Sequence, residues 1–301
     1  MPYPFCPSRS RINYISGSSV TSATSEKWIR LTGSRAGLET CEIVEMSGRD
    51  VRDKVILEIG TGWRINTPIA LWLLGAKKVI TVDANPYIKI ELIKNDLDYI
   101  RSNPGKARDI LKGRARPDRF EMLVAAAGKD HSLNDLFMLL DVEYKAPMDA
   151  SRTNLADGSI DFMTSYNVFE HIPPPVIESI LREGNRLMRD GGLFVHRIDF
   201  SDHFAHQDKS INLVNFLQYS EREWEKIVHN NFMYMNRLRV DDMENIISSS
   251  GQRIVASYPE EDPLILDSYK RGELPLAEQY RRKSERSICT INSWIISEKR
   301  A

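Results

Sequence analysis

The chain has 301 residues, 42% hydrophobic and 28% charged, with a formal net charge of -1. That composition is a globular protein's, and the balanced charge excludes a global basic field for nucleic acid or a membrane surface. Its three cysteines, Cys6, Cys41 and Cys289, are odd in number and far apart, which excludes a disulfide framework and a thiolate metal cage and favours a reducing cytoplasm. No apolar run approaches the ~20 residues of a membrane span.

Residues 1–50 precede the first expected strand and read as an N-terminal lid or extension. It has a loop at Ser16-Gly17-Ser18-Ser19 and short helices over 23–32 and 36–47. A domain over 51–301 follows, organised around residues 55–63. There an apolar strand runs into the turn Gly60-Thr61-Gly62. The pattern predicts a helix next, with Thr67 as cap, Pro68 in its first position and Gly75 at its end. A second apolar strand over 79–82 stops at Asp83. This strand–glycine turn–helix–strand–acid unit is the first half of a nucleotide-binding α/β sheet. The glycines let backbone approach a ligand closely, and Asp83 can accept both hydroxyls of a ribose. A dinucleotide site needs a third glycine, but Ile65 stands there, with Trp63 and Arg64 before it, which argues against NAD. Glu58, two residues ahead of the turn, favours a cationic ligand.

At Glu58, Gly60 and Gly62 the sequence resembles the class I S-adenosylmethionine-dependent methyltransferases, whose first motif is an acid, one residue, then Gly-x-Gly. A further glycine is usual in that family where this chain has Arg64. The resemblance implies a doubly wound, Rossmann-like α/β sheet of seven strands, mostly parallel with the last antiparallel. It implies S-adenosylmethionine as cofactor. It also makes Tyr14 either a lid residue over that cofactor or a plain surface tyrosine.

After Asp83 the pattern predicts a helix from Asn85-Pro86 to Ile100. Residues 101–119 hold seven basic residues and two acids without interleaved aromatics, which reads as a solvated surface before a nucleic-acid patch. Residues 119–140 read as helical, and 142–147 as a third strand near a sheet edge. Asp149-Ala150 follow, where the family resemblance implies a polar or acidic acceptor for the adenine amine.

Residues 155–173 begin with the turn Asp157-Gly158-Ser159 and a fourth strand over 160–165. They end in Glu170-His171-Ile172-Pro173, which resembles the matching segment of small-molecule methyltransferases. Ligands of parallel α/β sheets sit at the carboxyl ends of strands. Ser165, Tyr166 and Asn167 then lie at the cofactor edge, with His171 near an acceptor as base or as a shaping residue. A helix over 176–189 and a glycine turn precede a fifth strand over 193–198. Residues 199–208 crowd acids and histidines together. That loop reads as a divalent-ion site of His203, His206 and an aspartate, as an acceptor site with His203 or Asp202 as base, or as a self-capping loop. The acceptor reading is adopted and no metal is assigned. Residues 201–239 read as a helical cap insertion, with Arg237 and Arg239 as candidates for a substrate carboxylate or phosphate. A helix over 240–250 and strands over 251–257 and 288–296 complete the chain.

The expected activity is methyl transfer from S-adenosylmethionine to an oxygen or nitrogen of a small-molecule or sugar acceptor. Glu58, Gly60, Gly62, Asp83, Asp149, Ala150 and Asn167 are expected at the cofactor, and His171 and His203 at the chemistry. A homo-oligomer is left open, and neither membrane nor nucleic acid is an expected partner. Three rivals share the fold: a non-catalytic binding protein, an aminopropyltransferase and an RNA methyltransferase. The second would want paired acids where Ser165-Tyr166-Asn167 stand. A nucleobase amino-methyltransferase would want Pro-Pro after Asn167, where Val168 and Phe169 stand.

Overall fold

The computed structural model describes residues 22–228 and 234–300. Tyr14, Cys6, the loop at 16–19, Phe232 and Met233 lie outside the described residues. Seven strands form one sheet: β1 (Val55–Ile59), β2 (Lys78–Val82), β3 (Val142–Lys145), β4 (Ile160–Tyr166), β5 (Met188–Asp199), β6 (Gln252–Glu261) and β7 (Thr290–Lys299). Their order is β3-β2-β1-β4-β5-β7-β6. All pairs are parallel except those of β7, which runs antiparallel to both β5 and β6. The expected topology is therefore present, including β3 at an edge.

The central strands are buried on both faces, which is why they read as continuous apolar runs. On β1, Ile56 packs into one layer with Val79 and Phe162, while Leu57 and Ile59 pack into the other with Met163 and Phe194. The first layer is covered by α1 (Ser22–Met46), α2 (Asn66–Leu73), α3 (Ile90–Ser102), α4 (Pro104–Ile110), α5 (Pro117–Ala126) and α6 (Leu133–Leu139). The second is covered by α7 (Pro174–Leu187) and, beyond α8 (Glu221–Ile227), by α9 (Val240–Ser249).

Several boundaries differ from the sequence reading. One helix, α1, replaces the two short ones. A Cβ at Gly33 would lie 2.6 Å from Asn66 Cβ, and one at Gly37 2.6 Å from Ala70 Cβ. These glycines let α1 lie directly on α2, and that contact outweighs their poor helix propensity. Thr67 is no cap: Ile65 holds that position without a side-chain bond, and the Thr67 hydroxyl donates to Gly33 O at 3.3 Å. Gly75 does end the helix, at φ 109°. Helix α3 starts at Ile90 rather than Asn85, because Asn85 is drawn into a turn by Asp83. The helix expected over 119–140 is broken at Gly128, φ 84°, and restarts at a Ser132–Asp135 capping box.

The basic stretch is largely spent within the molecule. Lys112 pairs with Glu42 at 2.6 Å, Arg114 with Glu45, and Arg116 with Asp118 at 2.9 Å. Arg119 donates to Trp72 O and Ala76 O at 2.5 and 2.7 Å.

The segment between β5 and α9 shares a third core with the segment between β6 and β7. Phe216, Leu217, Trp224 and Met235 pack with residues of α10 (Pro263–Lys270) and α11 (Glu285–Cys289), among them Ile265 and Ile288. The two arginines offered to a substrate are buried in it, and that assignment is corrected. Arg237 donates to Phe216 O and Tyr219 O at 2.9 and 2.8 Å and to Glu221 at 2.5 Å. Arg239, with no exposed surface, donates to Phe200 O, Ser287 O, Ile288 O and Thr290 O. A charge this deep is tolerable only because carbonyl oxygens replace its water. Among the described residues, no helix is long and apolar enough to cross a membrane.

Candidate cofactor and acceptor site

The strand order reverses between β1 and β4, the switch point at which open α/β sheets bind ligands. The glycine turn sits there. Gly60 has φ 85° and Gly62 φ 68°, values that glycine adopts without cost. Gly60 N donates to Val82 O at 2.8 Å. Gly62 N donates to Asp83 Oδ2 at 2.9 Å, and Asn85 N to Oδ1 at 3.1 Å. Asp83 is thus tethered to the turn. Each of its oxygens keeps a further lone pair for a ribose hydroxyl.

Glu58 faces α2 from β1, 5% exposed, and accepts from the Thr81 hydroxyl of β2 at 2.6 Å. The Thr61 and Thr81 hydroxyls are 2.6 Å apart and extend this chain to the turn. Burial pushes the Glu58 carboxyl up to about 7, against the hydrogen bond from Thr81. A nearby cation would return it to the ionised form.

A cavity of about 440 Å³ opens against the turn, lined by Gly33, Thr61, Trp63, Arg64, Thr67 and Leu92 among others. Its size falls in the range of small-molecule sites, roughly 300–1,000 Å³. The Arg64 guanidinium is held against α3, bonded to Asp96 at 2.5 Å and to Leu92 O at 3.1 Å.

The other expected cofactor residues surround the same strand ends. Met148 N donates to Asp83 O at 2.9 Å, which fixes the loop after β3 beside β2. Asp149 is exposed, with Oδ1 accepting from Ser151 N and Oγ at 2.8 and 2.7 Å. Ala150 is half-buried against the α7 side of the sheet. Asn167 has φ 54°, a conformation asparagine tolerates. Its side-chain oxygen accepts from Arg197 at 2.7 Å. Arg197 also lies 4.9 Å from the Tyr166 ring, whose hydroxyl donates to Glu39 of α1 at 2.8 Å. Helix α1 therefore reaches the edge of the site.

A Cβ at Gly60 would lie 2.6 Å from Val168 Cγ2, so the glycine turn touches the loop leaving β4. The next three residues, Phe169–His171, form a 3-10 turn. A second 3-10 turn, His203–His206, follows β5. The pairing of β4 with β5 brings both turns together, with the His171 and His203 rings 5.0 Å apart. His171 Nδ1 donates to Tyr234 O at 2.9 Å, which leaves its Nε2 lone pair free. Desolvation of the ring holds the His171 pKa below its ordinary value, against the pull of that carbonyl. Asp199 Oδ1 accepts from Ser201 N and Oγ at 2.8 and 2.6 Å, and its Oδ2 lies 3.4 Å from His203 Nε2. His196 is fully buried, its ring tilted 35° to that of Phe169 with centroids 4.5 Å apart, and shares a 2.8 Å bond with Ser165. Burial pushes His196 down to about 3, so it is neutral.

The sequence offers His171 and His203 as separate candidates for the chemistry, and the structure sets their rings 5.0 Å apart. It turns His206 toward Ser201 Oγ at 3.0 Å, away from the metal-ligand role that was one option for it. The residue the reading missed is Glu170. It is 4% exposed, and neither carboxyl oxygen has a well-aligned hydrogen bond. Burial pushes its carboxyl up to about 8. Its place beside His171 in the motif was the available signal.

Residues 118–196 match the family model of a methyltransferase domain. The fold is similar to that of a protein from Pyrococcus horikoshii OT3, with TM-score 0.49 and 13% identity over 88% of this chain and 91% of that one. It is also similar to an S-adenosylmethionine-dependent methyltransferase from Mesorhizobium loti, with TM-score 0.45 and 14% identity over 86% and 96%. No curated protein sequence matches the chain.

Proposed function

We propose that the chain, whose residues 118–196 match a methyltransferase-domain model, binds S-adenosylmethionine at the glycine turn and methylates an oxygen or nitrogen of a small-molecule or sugar acceptor. The acceptor would sit against His171 and His203. The observation that carries this reading is the contact between Gly60 and Val168, which sets a cluster of two histidines and two carboxylates beside the cofactor turn. Glu58 and Asp83 would hold the cationic and ribose parts of the cofactor, and Asp149, Ala150 and Asn167 would border its adenine. The cluster would orient the acceptor and promote loss of its proton while the methyl group moves in line from sulfur. The neutralised basic stretch supports a small acceptor over RNA.

The test is release of S-adenosylhomocysteine from the full chain and S-adenosylmethionine across a panel of hydroxylated and amine acceptors. His171→Ala is expected to lower turnover about 100-fold with cofactor affinity unchanged. Undiminished turnover in that variant would remove the cluster from the chemistry. Cofactor binding without turnover on any acceptor would favour the non-catalytic reading.

A further inference from the structure

We propose that Glu170, His171 and His203 bind one divalent first-row transition ion, which receives a hydroxyl oxygen of the acceptor. The ion site stands on geometry alone; the role given to the ion rests on the methyl-transfer reading above. It departs from the sequence reading, which assigned no metal.

One ligand atom from each of the three residues lies within 4.8 Å of the others, close enough to share one ion. Glu170 is the informative member. A carboxyl 4% exposed, with no well-aligned hydrogen bond to either oxygen, is poorly compensated for carrying a charge at that depth. A cation in the cluster supplies the missing partner. His203 Nε2 is likewise buried without a well-aligned hydrogen bond, its approach to Asp199 Oδ2 being 3.4 Å. His171 is already oriented as a metal-bound histidine is: its Nδ1 donates to the Tyr234 carbonyl at 2.9 Å, which fixes the tautomer and turns the other nitrogen's lone pair outward. Asp199 Oδ2, 3.4 Å from His203 Nε2, adds a second negative charge to match a divalent ion.

The donor set decides the ion class. Two imidazole nitrogens and one carboxylate suit manganese, iron, cobalt or zinc, whereas magnesium and calcium prefer oxygen ligands. Three protein ligands leave coordination positions open, and the site adjoins the cofactor turn through Val168. An acceptor hydroxyl on the ion loses its proton to water more readily. Its oxygen lone pair forms the new bond to the methyl carbon. The carbon–sulfur bond breaks with its pair retained on sulfur, so the sulfonium becomes the neutral thioether S-adenosylhomocysteine. The histidines then serve as ligands, and the proton need not rest on either.

The test uses the full chain stripped with a chelator and titrated with Mn²⁺, with free ion followed by electron paramagnetic resonance. Saturable binding of one Mn²⁺ per chain is expected. Glu170→Gln, close to the native shape, and His203→Ala should each weaken it about 100-fold while calorimetric affinity for S-adenosylmethionine persists. That retained affinity shows that the variants fold. Absence of saturable Mn²⁺ binding, or equal affinity in Glu170→Gln, overturns the site. Full turnover by stripped protein in chelator would overturn the ion's role and leave the methyl-transfer reading intact.

Discussion

Gly60→Val is expected to lower the unfolding free energy by about 3 kcal/mol or more and to abolish cofactor binding. Two costs add. An L side chain at φ 85° is strained by about 1–2 kcal/mol. Its Cβ would also lie 2.6 Å from Val168 Cγ2, and overpacking of that kind costs about 1–3 kcal/mol. Relief would push the Val168 loop off the glycine turn and pull apart the two halves of the site. Gly62→Ala is the control. Its φ is 68°, but nothing lies within 4 Å of the new Cβ, so strain alone should appear. Urea midpoints separate the two variants. Equal, small shifts in both would show that the turn and the loop after β4 do not pack together.

Glu58 should make the ligand-free protein less stable as pH rises. Its carboxyl is raised from 4.5 to about 7 in the folded chain, so between those values the native state holds a proton that the unfolded state has lost. Stability is complete below the unfolded value and declines through the folded one, by about 3 kcal/mol for this group. Glu58→Gln carries no proton to lose. The difference in unfolding free energy between the two proteins should therefore change by that amount between pH 4.5 and 8. Cofactor affinity should move the opposite way, tightening in the native protein as pH passes 7 because a cation selects the ionised carboxylate. A pH-independent difference between native and variant would show that Glu58 is already ionised without ligand.

How much of this was legible in the sequence depended on how local each partner is. The β1–turn–β2 unit could be read because apolar strands, turn glycines and a terminal acid leave signatures within a short stretch. The tether from Gly62 N to Asp83 follows from that geometry. His171 and His203 were each visible as candidates, but their juxtaposition comes from the pairing of β4 with β5 in the structure. Helix boundaries were missed for local reasons, whereas the misread α1 glycines and cap arginines have distant partners. The glycines of α1 look like helix breakers until Asn66 and Ala70 of α2 are seen to fill the space beside them. Arg237 and Arg239 look like anion binders until carbonyls from Phe216 and the α11 segment are seen to accept from them. Glu170 was visible as a letter beside His171. Its burial without a well-aligned hydrogen bond is a property of packing that no spacing announces.

Calorimetric titration of the full chain with S-adenosylmethionine, S-adenosylhomocysteine and NAD in parallel tests the assignment of the glycine turn most directly. Saturable one-to-one binding of both sulfur compounds is expected, with none of NAD and with affinity reduced in Asp83→Ala. Binding of NAD, or silence from both sulfur compounds in a folded protein, would contradict an S-adenosylmethionine site between β1 and β4.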